Sequence, residues 1–120
     1  MAKLLSLKSI NFESNKAEIL TSSTIELNKV VDYMKEFTSV IIEIRSHTDS
    51  RGSDAYNMKL SQKRATATAN YIVSKGIDSK RVLFKGFGET RLLNECKNGV
   101  KCDNNKHRIN RRSEFIVIDR

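Results

Sequence analysis

The chain has 120 residues and a mass of 13.7 kDa, enough for one compact domain and too little for two ordinary ones. Lys and Arg total 22 against 14 Asp and Glu, so the formal charge is 22 − 14 = +8, with 38% apolar and 30% charged residues. That balance supplies a core and argues against intrinsic disorder, while five glycines and no proline exclude collagen-like and elastic proteins.

Leu4, Leu5, Leu7 and Ile10 read as a short leading strand, and Phe12-Glu13-Ser14-Asn15-Lys16 as a loop. Thr21-Ser22-Ser23 offers N-caps for a first helix, whose apolar face is Leu27, Val30, Val31, Met34 and Phe37. Val40 to Ile44 is β-branched and short, which predicts a buried strand. The turn-rich stretch Ser46 to Gly52 follows it. A long helix is expected from about Asp54 to Lys75, ended by Gly76 as the residue after the cap. Its narrow apolar face, Ala65, Ala69, Ile72 and Val73, suits close packing on a sheet. Val82-Leu83-Phe84 and Phe115-Ile116-Val117-Ile118 are the remaining strands. The order βαβαββ predicts an α+β two-layer sandwich, a mixed sheet with helices packed on one face, and a single domain over residues 1–120.

No apolar run approaches the roughly 20 residues that cross a bilayer. Met1-Ala2-Lys3 is not followed by the apolar region of a secretory signal. The chain is therefore either cytosolic or one domain of a longer exported protein. Six basic residues (Lys97, Lys101, Lys106, Arg108, Arg111, Arg112) face one acid, Asp103, between positions 97 and 112. This segment is either a solvated face or a nucleic-acid patch, with few aromatic residues to stack on bases. Cys96 and Cys102 lie six positions apart in a polar segment, where a disulfide and an oxidising compartment fit better than two free surface thiols. Zinc would need about four ligands, and only His107 stands nearby, so no metal is expected.

The loop Ser46-His47-Thr48-Asp49-Ser50-Arg51-Gly52 is the most polar point after a buried strand, where function commonly sits. His47 and Asp49 lack a nucleophile or metal to act with, and no GxSxG, P-loop or GxGxxG is present. No catalysis and no cofactor are expected, and His47 reads as a side chain that holds its loop. Asp49 and Arg64 form an acid and a guanidinium that suit a zwitterion. Spacing alone equally describes an ordinary salt bridge between loop and helix, the commoner outcome.

The ordered set His47-Thr48-Asp49, Gly52, Tyr56-Asn57, Leu60-Ser61, Arg64-Ala65, Gly76-Ile77, Arg81, Gly86-Phe87-Gly88-Glu89 and Asn110-Arg111-Arg112-Ser113-Glu114 resembles the OmpA-like peptidoglycan-binding domain. The likeness covers roughly positions 9 to 118. It implies non-covalent binding of the peptidoglycan peptide stem through meso-diaminopimelate, anchoring an envelope protein to the wall in the periplasm, beside the outer membrane. By the same resemblance Asp49 takes the amino group and Arg64 the carboxylate of one diaminopimelate centre. Thr48 and Asn57 line the pocket, Arg111 adds a carboxylate contact, and the backbone around Phe12, Ser14 and Asn15 closes it. Any membrane attachment would come from a part outside this chain: a barrel, a lipid anchor or a stator helix. The chain departs from the pattern at Ser46, where the family has glycine, and at Leu92-Leu93, near which it has proline. The alternatives are a nucleic-acid module built on segment 97–112 and, behind it, a wall-cleaving enzyme using His47 and Asp49.

Overall fold

The computed structural model describes residues 7–119. The elements are β1 (Ile10–Asn11), α1 (Thr24–Glu36), β2 (Ile41–Ser46), α2 (Asp54–Ser74), β3 (Val82–Gly86), α3 (Asn104–Asn110) and β4 (Arg112–Asp119). They form a mixed four-stranded sheet in the order β1-β4-β2-β3. The pair β2/β3 is parallel, with α2 in its crossover, whereas β4 runs antiparallel to both β2 and β1. The α+β class and the mixed sheet agree with the sequence reading. The order βαβαββ does not, because α3 separates the last two strands.

Strand β2 alternates half-buried and buried residues, so Ile42, Ile44 and Ser46 face the helices. Register places Val117, Phe115 and Ser113 of β4 beside them on that face. Leu27, Val30, Val31, Tyr33 and Met34 of α1 and Ala69 and Ile72 of α2 complete the core. Helix α1 begins differently from expectation. Thr21–Ser23 form a 3₁₀ turn that runs into the helix, and Ser23 makes no capping bond with its side chain. At the other end, Arg81 donates to the carbonyls of Met34, Phe37 and Val40 at 2.8–2.9 Å. It thereby satisfies acceptors that the end of the helix leaves open.

Helix α2 starts at Ser53, whose hydroxyl accepts from the Tyr56 amide at 3.1 Å, and ends before Gly76 at φ +100°. It buries polar residues as well: Asn57, Ser61, Arg64 and Thr68 share the packed face with Leu60, Ala65 and Ala69. Gly86 permits this approach, since a Cβ there would lie 2.5 Å from the Gln62 backbone nitrogen. Ser46, the departure from the family's glycine, is also accommodated: its hydroxyl pairs with that of Ser113, which pairs in turn with Thr68. Leu4 and Leu5, expected in the leading strand, lie outside the described residues.

Candidate functional site

Past the end of β2 the backbone stays pinned on both sides. Phe87 N–H donates to Ser46 O, His47 N–H to Arg112 O and Thr48 N–H to Gly88 O, at 2.8–2.9 Å. These bonds carry β2 into the loop, and Ser46 through Ser50 are all buried. Asp49 then closes a tight turn: its Oδ1 accepts the Arg51 backbone N–H at 2.9 Å, and Gly52 follows at φ +92°. From α2, the Asn57 amide donates to Asp49 O and to Glu89 Oε1 at 3.3 and 3.1 Å.

The Asp49 carboxylate has two further donors on Oδ2. Arg51 Nη2 lies at 2.9 Å from the solvent side and Arg111 Nη1 at 3.2 Å from the interior. Burial pushes the Asp49 carboxyl up, but the hydrogen bonds from Arg51 and Arg111 outweigh it and hold the group below the usual carboxylate range.

Arg64 does not bridge to Asp49, which corrects the loop-to-helix ion pair drawn from spacing. Its Nε donates to Lys16 O at 2.8 Å, and Nη1 and Nη2 to His47 O and Glu13 O at 3.0 Å. The guanidinium also lies over the Phe12 ring, 5.1 Å from the centroid. It is fully buried, with no carboxylate partner among the described residues, and burial lowers its pKa to about 10. Three neutral carbonyls use three of the five N–H bonds, so one remains on each terminal nitrogen.

The residues meet in one small cleft of ≈ 10 Å³, lined by Ser14, Asn15, Thr48, Asp49, Arg51, Asn57, Leu60 and Arg64. Six residues expected at the site therefore line it: Ser14, Asn15, Thr48, Asp49, Asn57 and Arg64. Arg111 and Phe12 stand behind it. Arg111 is held by its Nε on Phe12 O at 2.8 Å and reaches Asp49, while the Phe12 ring belongs to the core. The buried Thr48 hydroxyl has no hydrogen-bond partner among the described residues. Asp49, Arg64 and Thr48 thus border a single small opening. A larger, open hollow of ≈ 440 Å³ along α2 is lined by Lys59, Gln62, Lys63, Thr66, Ala67 and Asn70. It contains cations and no acid, so it does not complement a zwitterion.

Sequence reasoning missed Arg51, Leu60 and Glu89. The Asp-Ser-Arg-Gly order was the available signal for Arg51, because an Asx turn folds the residue two positions on back onto the aspartate. The basic segment also differs from expectation. Arg111 and Arg112 are buried, and Arg112 is spent on Glu114 Oε2, Asn110 O and Arg91 O. Lys106 pairs with Glu95 at 2.8 Å.

Cys96 and Cys102 form a disulfide, with Cα atoms 5.9 Å apart. The bridged loop supports the site from outside: the Ser50 hydroxyl donates to Cys96 O, and the Asn98 amide donates to Ser50 O and Glu89 Oε2. Burial, helped by Asp54, raises the Glu89 pKa.

His47 is buried, stacked on Phe87 at 5.5 Å between centroids, with Nε2 3.0 Å from Glu114 Oε1. Burial first, and then the Arg112 charge, push its pKa down to about 4 against the pull of Glu114. A folded pKa below the unfolded one stabilises the fold fully above about pH 6.5, and that contribution fades as pH falls toward 4. Urea denaturation across this window is expected to show His47→Gln losing less stability on acidification than wild type. Parallel pH curves for the two proteins would contradict this.

The comparisons with known proteins agree with this architecture. A sequence model of the OmpA family matches residues 11–106. The chain is 37% identical over 115 residues to the photosystem I P700 chlorophyll a apoprotein A2 of Gloeobacter violaceus, covering 95% of this chain and 13% of that protein. It is 31% identical over 116 residues to the peptidoglycan-associated lipoprotein of Buchnera aphidicola, covering 97% of this chain and 64% of that protein. It thus spans only part of each relative's length. The crystal structure of the peptidoglycan-associated lipoprotein from Burkholderia pseudomallei shares the fold, with a TM-score of 0.81 over 90% of this chain and 87% of that one, at 23% identity. With the family model covering most of its length, the chain belongs to the OmpA family.

Proposed function

We propose that this chain is a non-catalytic wall-binding module that grips the zwitterionic end of meso-diaminopimelate in the peptide stem of peptidoglycan. The observation that carries the reading is the buried Arg64 guanidinium, partnered only by neutral carbonyls and placed in one cleft with Asp49 and the unpartnered Thr48 hydroxyl. A buried cation without a counter-ion favours an incoming carboxylate, and a fixed acid beside it favours the ammonium of the same centre. In this reading Asp49 accepts the ammonium, and Arg64 offers its two remaining N–H bonds to the carboxylate. Thr48 and Asn57 line the pocket, and the 12–15 backbone closes it. Arg111 acts by holding Asp49 in place.

Each charge-assisted contact is worth about 1.5–3 kcal/mol before desolvation and ordering are subtracted. Single-site affinity is therefore modest, and the repeating wall makes attachment firm through avidity. The name of the Buchnera relative supports this assignment, as does the disulfide, which suits the oxidising periplasm. The module, one domain over residues 1–120, would anchor a larger envelope protein to the wall beside the outer membrane. The nucleic-acid alternative loses its footing with Arg111 and Arg112 turned inward. Co-sedimentation with purified sacculi tests the proposal: diaminopimelate-type walls should bring the protein down, and lysine-type walls should leave it in solution. Equal sedimentation with both would overturn the diaminopimelate assignment.

A further inference from the structure

Building on that reading, we infer that Arg51 is an intramolecular competitor for the ligand's ammonium, occupying Asp49 in the empty cleft and setting the affinity threshold an amine must exceed. Asp49 has three donors, and they are not equally replaceable. The Arg51 backbone N–H on Oδ1 is part of the turn and stays in place whatever its side chain does. Arg111 is 1% exposed and anchored on Phe12 O, so it stays as well. The Arg51 side chain is 46% exposed, lines the cleft, and has Asp49 as its only side-chain partner among the described residues.

An ammonium arriving from solvent meets Asp49 on the side Arg51 covers. The two cations compete for Oδ2, and the displaced guanidinium returns to water in which it is already half immersed. Exchange of one cation for another gains less than meeting an unoccupied carboxylate would. A bare amine therefore stays near the threshold, and a zwitterion passes it because its carboxylate adds the Arg64 contact. Since the same Arg51 contact is broken for every amine, the competition lowers all their affinities by one common factor and leaves their ratios unchanged.

The test is calorimetric titration of wild type, Arg51→Ala and Arg51→Lys with a meso-diaminopimelate muropeptide and its lysine counterpart. Arg51→Ala should tighten both ligands by the same factor, about three- to tenfold. Arg51→Lys, which keeps a competing cation, should stay within about twofold of wild type. If wild type binds in an Asp49-dependent way and Arg51→Ala binds no tighter, the inference fails and the site assignment stands. If none of the three proteins binds either muropeptide, the site assignment fails instead. Carbon NMR of the Asp49 carboxyl then decides the competitor separately. With Arg64, Arg111 and Glu89 unchanged around it, Asp49 should titrate at higher pH in Arg51→Ala, and an unmoved titration overturns the inference.

Discussion

Asp49→Ala is expected to abolish wall binding and to destabilise the fold by about 3–5 kcal/mol, because it strands the buried Arg111 guanidinium without its carboxylate. Both effects come from one side chain, and Asp49→Asn separates them. The amide oxygen can accept from Arg111 or from the Arg51 backbone but not from both, and the amide N–H then faces the other donor, so only part of the stability should return. The negative charge that would draw an ammonium is gone, and binding should stay at least about tenfold weaker, in keeping with the loss of a charge-assisted contact. Chemical denaturation and sacculus co-sedimentation on the same preparations read the two quantities independently. An Asp49→Asn protein that binds like wild type would remove Asp49 from the site.

Arg64→Ala should be comparably severe, with about 3–5 kcal/mol of stability lost alongside binding. The guanidinium ties three separated carbonyls together, those of Glu13 and Lys16 before α1 and of His47 after β2. Removing it leaves them unpaired beside a cavity and frees the 13–16 loop that borders the cleft. Arg64→Lys retains the charge but replaces a planar fork with a single point donor, so it should regain less than half of the lost stability and little of the binding. Denaturation midpoints for the three proteins check this order. An Arg64→Ala protein as stable as wild type would show that the carbonyls find other donors.

Most of the framework was legible because period and punctuation agreed. The β-branched run before Arg45, the spacing from Leu27 to Met34, and Gly76 after Ser74 each mark an element that the structure contains. Helix α3 was not legible. It has seven residues, no apolar stripe, and a start defined by Asp103 accepting from the Lys106 amide, a signal masked by the surrounding polar residues. The place of β4 between β1 and β2 was equally hidden, since sequence order does not say that a last strand inserts between two earlier ones.

The site shows the same division. Asp49 and Arg64 stand out as residue types, but their partners depend on tertiary structure. Charge pattern alone makes Arg111 and Arg112 part of a solvated face or a nucleic-acid patch, and only the resemblance drew Arg111 to the site; the short α3 turns both inward onto Asp49 and Glu114. The polar face of α2 looks like a solvent face until the sheet covers it, with Ser61 donating toward Met58 O and accepting from Gly88 N–H at 2.8 Å. Burial of that stripe positions Arg64, and no periodicity of apolar residues announces it.

The most direct test of the zwitterion site is calorimetric titration of wild type with a diaminopimelate muropeptide, beside the same compound acetylated on its free amine and the same compound amidated on its free carboxylate. Binding of the unmodified compound, with both modified forms at least about tenfold weaker, is the result predicted by an acid and a guanidinium acting together. Equal binding of all three would show that the cleft formed by Asp49 and Arg64 is not where the wall is held.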